Sequence, residues 1–234
     1  MTQFQSFPSA HGLLQTRVGA PYLTDLGGFS KGPLTLGDHG SHYGFVQQGS
    51  LEVSCAAGRF SLQEGMYFCI PGAAELDARG GGFFVTRHGH EAFFQIGGPI
   101  EEKGRLRYID GCTDSLLIPP ILMGDPCFNL LHFPPGIFQT AHTHPSLRAG
   151  MVARGSGVCH LADRQVALEP GVIFHIPADT HHHFATTDQA MTVIAYHPDS
   201  DFGPQHDDHP MINRTMVDGV SARFLETIQT GESS

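Results

Sequence analysis

The chain has 234 residues, 40% of them hydrophobic, which is enough for one large domain or for two small domains with real cores. Its 29 Gly and 16 Pro residues predict many tight turns, which suit short strands and disfavour long helices. The formal net charge is −10, and the 13 Lys and Arg residues are not clustered. We therefore expect a folded acidic surface and no nucleic-acid partner, because phosphate contacts need clustered cations.

The cysteines and the N-terminus bear on the compartment. Five cysteines are scattered along the chain without a C-x-x-C pair, so neither a disulfide framework nor a zinc ribbon is indicated. The N-terminus lacks a basic region leading into an apolar stretch, and no apolar run is long enough to cross a bilayer. We predict a reduced, cytoplasmic protein with no membrane contact.

An internal repeat organises the chain. Residues 46–71 align without a gap to residues 152–177 at a constant offset of 106, and nine of the 26 aligned pairs are identical. The identical pairs include residues typical of turns, namely Gly49/Gly155, Gly65/Gly171 and Pro71/Pro177. Because the identical residues include those that form turns, the match predicts two copies of one β-rich unit.

The segments around the second copy are mixed. Short strands are predicted at residues 105–109 and 116–118, separated by Gly and Pro residues, and residues 129–133 lead into a Pro-Pro-Gly turn. Beyond the second copy, residues 198–210 are polar and loop-like, and a short helix is predicted over residues 220–230.

Histidines predict a metal site in the second copy. His142 and His144 are one residue apart, so on a strand they project from the same face, and His182 in a later three-histidine run can return to that face. Neutral imidazoles are common ligands of Zn, Fe, Ni and Cu. Strand alternation should turn His181 and His183 away from the ligand face.

The spacing around these histidines resembles the two-part signature of the cupin superfamily. Gly136 precedes His142-x-His144 by five residues, and Gly171 precedes Pro177 by five, with His182 following. The resemblance implies an all-β fold of double-stranded β-helix (cupin/jelly-roll) barrels and one divalent metal ion held by the three histidines. Iron is the expected metal, with Zn, Ni, Mn or Cu as alternatives.

Two positions depart from the family pattern. Arg148 stands where the family has its ligand glutamate, with Ala149 at the longer spacing, and Asp179 replaces a glycine. With the repeat, the resemblance implies a bicupin, that is, two barrels in tandem. We predict an N-terminal barrel over residues 1–102, a metal-binding barrel over residues 103–215, and a short helix and tail over residues 216–234. The family resemblance also implies a homodimer.

The offset of 106 predicts that the first barrel has lost its metal. It places Leu36, Asp38, His42 and Leu76 at the ligand positions, and an apolar pair cannot hold a divalent ion. A rearranged site that uses Asp38, His39 and His42 is the alternative.

Arg148, His160 and His175 are the candidate catalytic residues. A guanidinium about 5 Å from a divalent ion would experience roughly 6 kcal/mol of repulsion at an effective dielectric of about 20. Either Arg148 turns to a carboxylate in a salt bridge, or it grips an anionic substrate that lies between it and the metal. If His160 or His175 points inward, it can serve in acid–base chemistry; an outward-facing strand residue is the alternative for both.

Three functions remain open. The resemblance implies first a mononuclear non-haem iron dioxygenase of a small, acidic, metal-chelating substrate, because cupins with three histidines and no glutamate ligand include such enzymes. A metal-dependent isomerase, epimerase or lyase of sugars or small acids is the second hypothesis, and a non-catalytic barrel that binds a small ligand is the third.

Overall fold

Short β-strands dominate the computed structural model, which describes residues 4–201 and 210–229. The strands form separate sheets that fold into two successive barrels, so the predicted all-β class with tandem barrels is confirmed. No helix in these described ranges is long and apolar enough to span a bilayer.

The first half of the chain forms the N-terminal barrel. The strands in this half are β1 (Gln5–Phe7), β2 (Gly12–Val18), β3 (Thr24–Leu36), β4 (Gly40–Val46), β5 (Ser50–Cys55), β6 (Gly58–Gln63), β7 (Tyr67–Pro71), β8 (Ala74–His88) and β9 (Gln95–Gly97), and the barrel is built from β2 to β9. One sheet runs β2-β3-β8-β4-β7-β9, and β5 joins it by pairing with both β8 and β6. Leu51 and Val53 alternate with more exposed residues along β5 and enter the barrel's apolar interior.

The second half forms the C-terminal barrel and a short terminal segment. The elements are β10 (Leu106–Arg107), β11 (Thr113–Ile118), β12 (Cys127–Phe133), β13 (Arg148–Gly155), β14 (Gly157–Leu161), β15 (Gln165–Leu168), β16 (Ile173–Ile176), β17 (His182–Ala185), β18 (Met191–His197), α1 (Pro210–Arg214), β19 (Met216–Val217) and β20 (Val220–Ser221). One sheet runs β1-β16-β13-β18-β12-β11-β10, and a smaller one runs β15-β14-β17.

The sequence repeat corresponds to repeated structure. When 106 is added to their residue numbers, strands β4 to β7 of the first barrel correspond in position to strands β13 to β16 of the second barrel. The repeated glycines adopt the left-handed conformation in both copies, with φ of 74° at Gly49 and 69° at Gly155, and 81° at Gly65 and 86° at Gly171. Glycine tolerates this conformation without steric cost, which explains why these turn residues are identical in the two copies.

The two barrels share part of their core. One apolar cluster combines Tyr43 and Phe83 of the first barrel with Phe128 and Tyr196 of the second. The ring centroids of Tyr43 and Tyr196 lie 5.4 Å apart, and those of Phe83 and Phe128 lie 5.7 Å apart. The barrels therefore pack through a buried aromatic interface.

The first strand of the chain belongs to the sheet of the second barrel. Strand β1 pairs antiparallel with β16, and Gln5 stands opposite His175. Most of the first 102 residues build the N-terminal barrel, but this strand crosses to its neighbour. The boundaries at residues 102 and 215 stay predictions.

The C-terminal segment differs from the predicted helix over residues 220–230. The structure has helix α1 and the hairpin β19–β20, followed by two 3-10 turns at Ala222–Phe224 and Glu226–Ile228. Residues 202–209, in the predicted loop, and the tail at residues 230–234 lie outside the described ranges.

Candidate metal centre

Backbone pairing brings the three candidate ligands together. His142 lies between β12 and β13, where it forms an isolated antiparallel bridge with His182, the first residue of β17. Each donates its backbone N–H to the carbonyl of the other, and both N···O distances are 3.0 Å. His144 follows in the same connection, and its carbonyl accepts the N–H of Asp179 at 2.8 Å. The pairing thus holds two segments of the metal motif in register.

The three imidazoles face one another. Their ring centroids lie 5.0 Å apart for His142 and His144, 4.8 Å for His142 and His182, and 5.2 Å for His144 and His182. One ring nitrogen from each residue falls within 4.8 Å of the others, which is close enough for one ion to contact all three.

Hydrogen bonds orient two of the rings. The Nδ1 atom of His142 lies 2.7 Å from the carbonyl oxygen of Thr140, and Nδ1 of His182 lies 2.8 Å from that of Thr180. Because a carbonyl can only accept, Nδ1 carries the proton in both rings and Nε2 keeps its lone pair. Such bonds to the second nitrogen are typical of histidines that bind metals.

Burial keeps the rings of His144 and His182 neutral. It lowers the pKa of His144 to about 3, with a further contribution from the nearby Arg148 charge, and lowers the pKa of His182 to about 4. A neutral imidazole is the form that binds a metal ion, and at neutral pH no proton must first be displaced from these rings. The residues present therefore fit a divalent ion.

A small cavity adjoins the three histidines. Its volume is about 50 Å³, and its wall includes the aromatic rings of Phe133, Phe174 and Phe184. The other polar side chains on the wall are Tyr108, Asp114, Gln139, Arg148 and His197. This volume suits a ligand of only a few heavy atoms.

Arg148, the first residue of β13, is a largely buried cation in this cavity. Its Nη1 donates to the Ser146 carbonyl and hydroxyl at 3.3 and 2.8 Å and to the Leu147 carbonyl at 2.9 Å. The Ser146 hydroxyl donates in turn to Asp199, so the predicted carboxylate partner is linked through a hydroxyl. In the described ranges Arg148 forms no direct ion pair, and its buried Nε has no hydrogen-bond partner. Burial lowers the pKa of its guanidinium.

Asp114 on β11 was not predicted as a site residue. Its Oδ2 accepts a hydrogen bond from Asn129 at 2.6 Å, and burial raises the pKa of its carboxyl. Asp114 is the second residue of β11, between Thr113 and Ser115, and the sequence alone does not show that this strand borders the histidines. The carboxyl adds a proton-transfer group to the cavity.

The two other candidate histidines lie elsewhere. His160 on β14 stacks on His183, with centroids 4.6 Å apart and an angle of 7° between the rings, and both contact the exposed ring of Phe138. His175 is buried on β16 between Phe174 and Ile176, which line the cavity, so alternation directs its ring to the opposite face. Neither imidazole lines the cavity beside the three histidines. Their proposed catalytic roles remain untested predictions.

The corresponding positions of the first barrel are filled differently. Leu36 and Leu76 are buried in its apolar cluster. The His42 ring nitrogens are occupied by Thr86 Oγ1 at 2.8 Å and by the Gly37 carbonyl at 2.9 Å. The expected loss of metal from these positions stays a prediction. The alternative set of Asp38, His39 and His42 is not among the clusters able to hold a metal in the described ranges.

Comparisons with known proteins find a domain match in the second barrel. Residues 129–197 match the Cupin_2 cupin-domain family, a range that includes all three histidines and Arg148. No curated protein matches by sequence.

Solved structures share the fold over most of the chain. Protein Ylba from E. coli is 17% identical, with a TM-score of 0.61 over 87% of this chain and 93% of that one. A cupin 2 conserved barrel domain protein from Leptotrichia buccalis is 14% identical, with a TM-score of 0.56 over 83% and 88%. Oxalate decarboxylase from Bacillus subtilis, described with Mn(II) centers, is 11% identical, with a TM-score of 0.53 over 86% and 79%. Residues 129–197 are therefore similar to a cupin domain and contain the metal-type motif, and the chain as a whole shares the fold of these solved structures.

Proposed function

We propose that this bicupin is a metal-dependent enzyme that acts on a small carboxylic acid. The observation that carries the proposal is the buried guanidinium of Arg148, which shares a cavity with the three imidazoles and has an Nε without a hydrogen-bond partner. A buried cation without an ion pair is costly, and an anionic ligand would remove that cost.

The donor set decides which ions are suitable. Imidazole ligands suit Zn, Fe, Ni and Cu, and manganese enters from the likeness to a decarboxylase described with Mn(II) centers. Three neutral ligands leave the full charge of a bound divalent ion uncompensated, and open coordination positions would let it polarise a substrate oxygen.

Arg148 would supply the orienting charge. With its Nη1 held by Ser146 and Leu147, the guanidinium is fixed in place before a ligand arrives. A carboxylate between this cation and the metal ligands would interact favourably with both, which relieves the repulsion expected from placing two positive charges together. The small cavity volume limits such a ligand to a few heavy atoms.

Asp114 favours a reaction that includes proton transfer. A carboxyl with a raised pKa can give a proton to a substrate atom and take one back, and its hydrogen bond to Asn129 holds it at the cavity wall. A lyase, decarboxylase or isomerase of a small acid needs such a group, and the apolar cavity wall limits competition from water.

An iron-dependent dioxygenase is the second candidate. The observation that favours it is the set of three histidines without a glutamate ligand, which resembles that of cupin dioxygenases. In that case dioxygen would be a co-substrate, so the two candidates differ in their need for oxygen.

The metal is tested first. Protein purified without added metal should contain close to one ion per chain in the C-terminal barrel, and His182→Ala should remove that ion because it deletes an oriented ligand. His183→Ala is the matched control and should retain it, since that ring stacks on His160 instead. Equal metal content of the two variants at this barrel would contradict the proposal.

Substrate binding and turnover are tested next with a panel of small mono- and dicarboxylic acids. Arg148→Gln should weaken binding of the preferred acid by about 10- to 100-fold, as expected for loss of a charge-assisted hydrogen bond. Arg154→Gln, which changes an exposed arginine on the same strand, should leave acid binding unchanged.

Asp114→Asn should lower kcat but preserve metal content and acid binding. Turnover under nitrogen supports the lyase or isomerase, and oxygen uptake supports the dioxygenase. Tight acid binding without turnover would reject an enzyme in favour of a binding protein.

A further inference from the structure

We propose that the first barrel has a metal site of its own, built from Asp25, His39 and His88 and distinct from the family's ligand positions. Asp25 is near the start of β3, His39 immediately precedes β4, and His88 ends β8. One ligand atom from each lies within 4.8 Å of the others. The proposal does not depend on the function of the C-terminal barrel.

The distances between ligand atoms in this cluster are close to those between the ligand atoms of a bound ion. The His88 Nε2 atom is 2.8 Å from Asp25 Oδ1, and the His39 Nε2 atom is 3.8 Å from Asp25 Oδ2. A tetrahedral ion with ligands at about 2.0–2.1 Å separates its ligand atoms by roughly 3.3 Å. Small side-chain rotations would therefore place the three atoms around one ion.

The His88 Nε2 atom is not satisfied by a hydrogen bond. Although Nε2 lies close to Asp25, it is a buried polar atom without a hydrogen-bond partner in the described ranges. Such atoms are rare in folded proteins. A metal ion bound to Nε2 would satisfy it.

The charge of Asp25 also calls for a cation. This side chain is only 10% exposed, and its ion-pair partners in the described residues are the two imidazoles, which carry charge only when protonated. The Arg17 backbone N–H donates to Oδ1 at 2.7 Å and leaves the carboxylate charge uncompensated. A divalent ion would supply that compensation.

The backbone holds the three ligand segments in place. The His88 N–H donates to the Leu23 carbonyl at 2.9 Å, and the Gly89 N–H donates to the His39 carbonyl at 2.9 Å. Gly37 leaves room for the His39 ring, because a Cβ atom there would lie 2.6 Å from it. The rings of His39 and His88 stack with centroids 4.5 Å apart. These contacts reduce the entropic cost of assembling the site.

The ligands indicate the class of ion. Two imidazoles and one carboxylate suit a divalent transition metal such as Zn²⁺ or Co²⁺ better than Ca²⁺ or Mg²⁺, which prefer all-oxygen ligands. His39 is about half exposed, so the ion would have access from solvent and an open coordination position.

Metal titration of the full-length chain tests the proposal. In the His182→Ala background, which disables the C-terminal site, metal-free protein should bind one equivalent of Zn²⁺ by calorimetry, and Co²⁺ should give the absorption bands of a tetrahedral or five-coordinate centre. Adding His39→Ala or Asp25→Asn should abolish that equivalent, whereas adding His90→Ala should retain it. Adding Gly37→Ala should weaken Zn²⁺ binding about tenfold or more, because its Cβ displaces the His39 ring.

The outcomes separate this site from the proposed enzyme. An ion that remains in the His182→Ala protein but is lost with His39→Ala supports the first-barrel site, whatever the C-terminal barrel does. Absence of binding in the His182→Ala protein, or binding that survives both His39→Ala and Asp25→Asn, would overturn it. His39→Ala removes a ring that is about half exposed, and Asp25→Asn replaces a carboxylate by its amide. Circular dichroism would verify that both variants remain folded.

Discussion

His175 is a buried imidazole with no use in the metal cavity. Neither of its ring nitrogens has a hydrogen-bond partner in the described ranges, and burial lowers its pKa from 6.5 to about 4. The ring must therefore stay neutral in the folded protein while it can bind a proton in the unfolded chain. Such a residue makes the free energy of unfolding depend on pH.

We predict that this residue destabilises the protein in mild acid. As the pH falls from 6.5 to 4, the unfolded chain gains a proton at His175 that the folded protein does not, so stability present above pH 6.5 is lost, up to about 3 kcal/mol. Urea unfolding at several pH values should show that the free energy of unfolding falls less steeply with decreasing pH for His175→Phe than for the native chain. His11→Gln, which replaces an exposed imidazole, should retain the native slope; equal slopes for all three proteins would refute the prediction.

At the scale of single elements, the turn that ends β13 leaves no room for a side chain. Gly155 has φ of 69°, and a Cβ atom there would lie 1.8 Å from the backbone oxygen of Ala190 on the approach to β18. Gly136 has a similar φ of 74° but has open space around it. Comparing the two glycines therefore distinguishes the free-energy cost of the left-handed backbone conformation from the cost of a steric clash at Cβ.

Alanine substitutions should show this difference. Gly136→Ala should lower the free energy of unfolding by about 1 kcal/mol, the cost of a left-handed conformation, whereas Gly155→Ala should cost about 3 kcal/mol or more because backbone must also move. Thermal or urea unfolding of the two variants provides the measurement. Equal losses would mean that the turn after β13 rearranges freely.

Elements that depend on local pattern were predictable from sequence. The strands around Gly49 and Gly155 followed from the repeat, and the meeting of His142, His144 and His182 followed from motif spacing. Asp114 and the cluster of Asp25, His39 and His88 could not be predicted, because their approach depends on pairing between segments distant in sequence. The surroundings of Arg148 likewise depend on tertiary structure, although its departure from the family pattern was visible.

At the scale of the whole molecule, the shared aromatic cluster couples the barrels. Phe128 contacts both Tyr43 and Phe83 across the interface, with ring centroids 6.3 and 5.7 Å apart, and is fully buried. Two barrels that bury such a surface between them are expected to unfold together. Whether the chain also forms the homodimer implied by its resemblance stays a prediction.

Unfolding can be followed separately in each barrel because the chain has no Trp. Trp reporters at Phe60 and Phe138 should show the same urea midpoint, and Phe128→Ala should shift both midpoints together, with a loss of about 3–5 kcal/mol. Phe93→Ala, which truncates an exposed ring, is the control and should leave both near their original values. Two separated transitions in the native chain would show that the barrels are independent.

The pairing of β1 with β16 has a consequence for synthesis. Residues 5–7 leave the ribosome well before their partners at residues 173–175, because more than 160 residues separate the two segments. At about 5–20 residues per second this delay is on the order of ten seconds or more. Throughout that interval the nascent N-terminal barrel carries an unmatched strand, which is available to chaperones or to a neighbouring nascent chain until its own partner emerges.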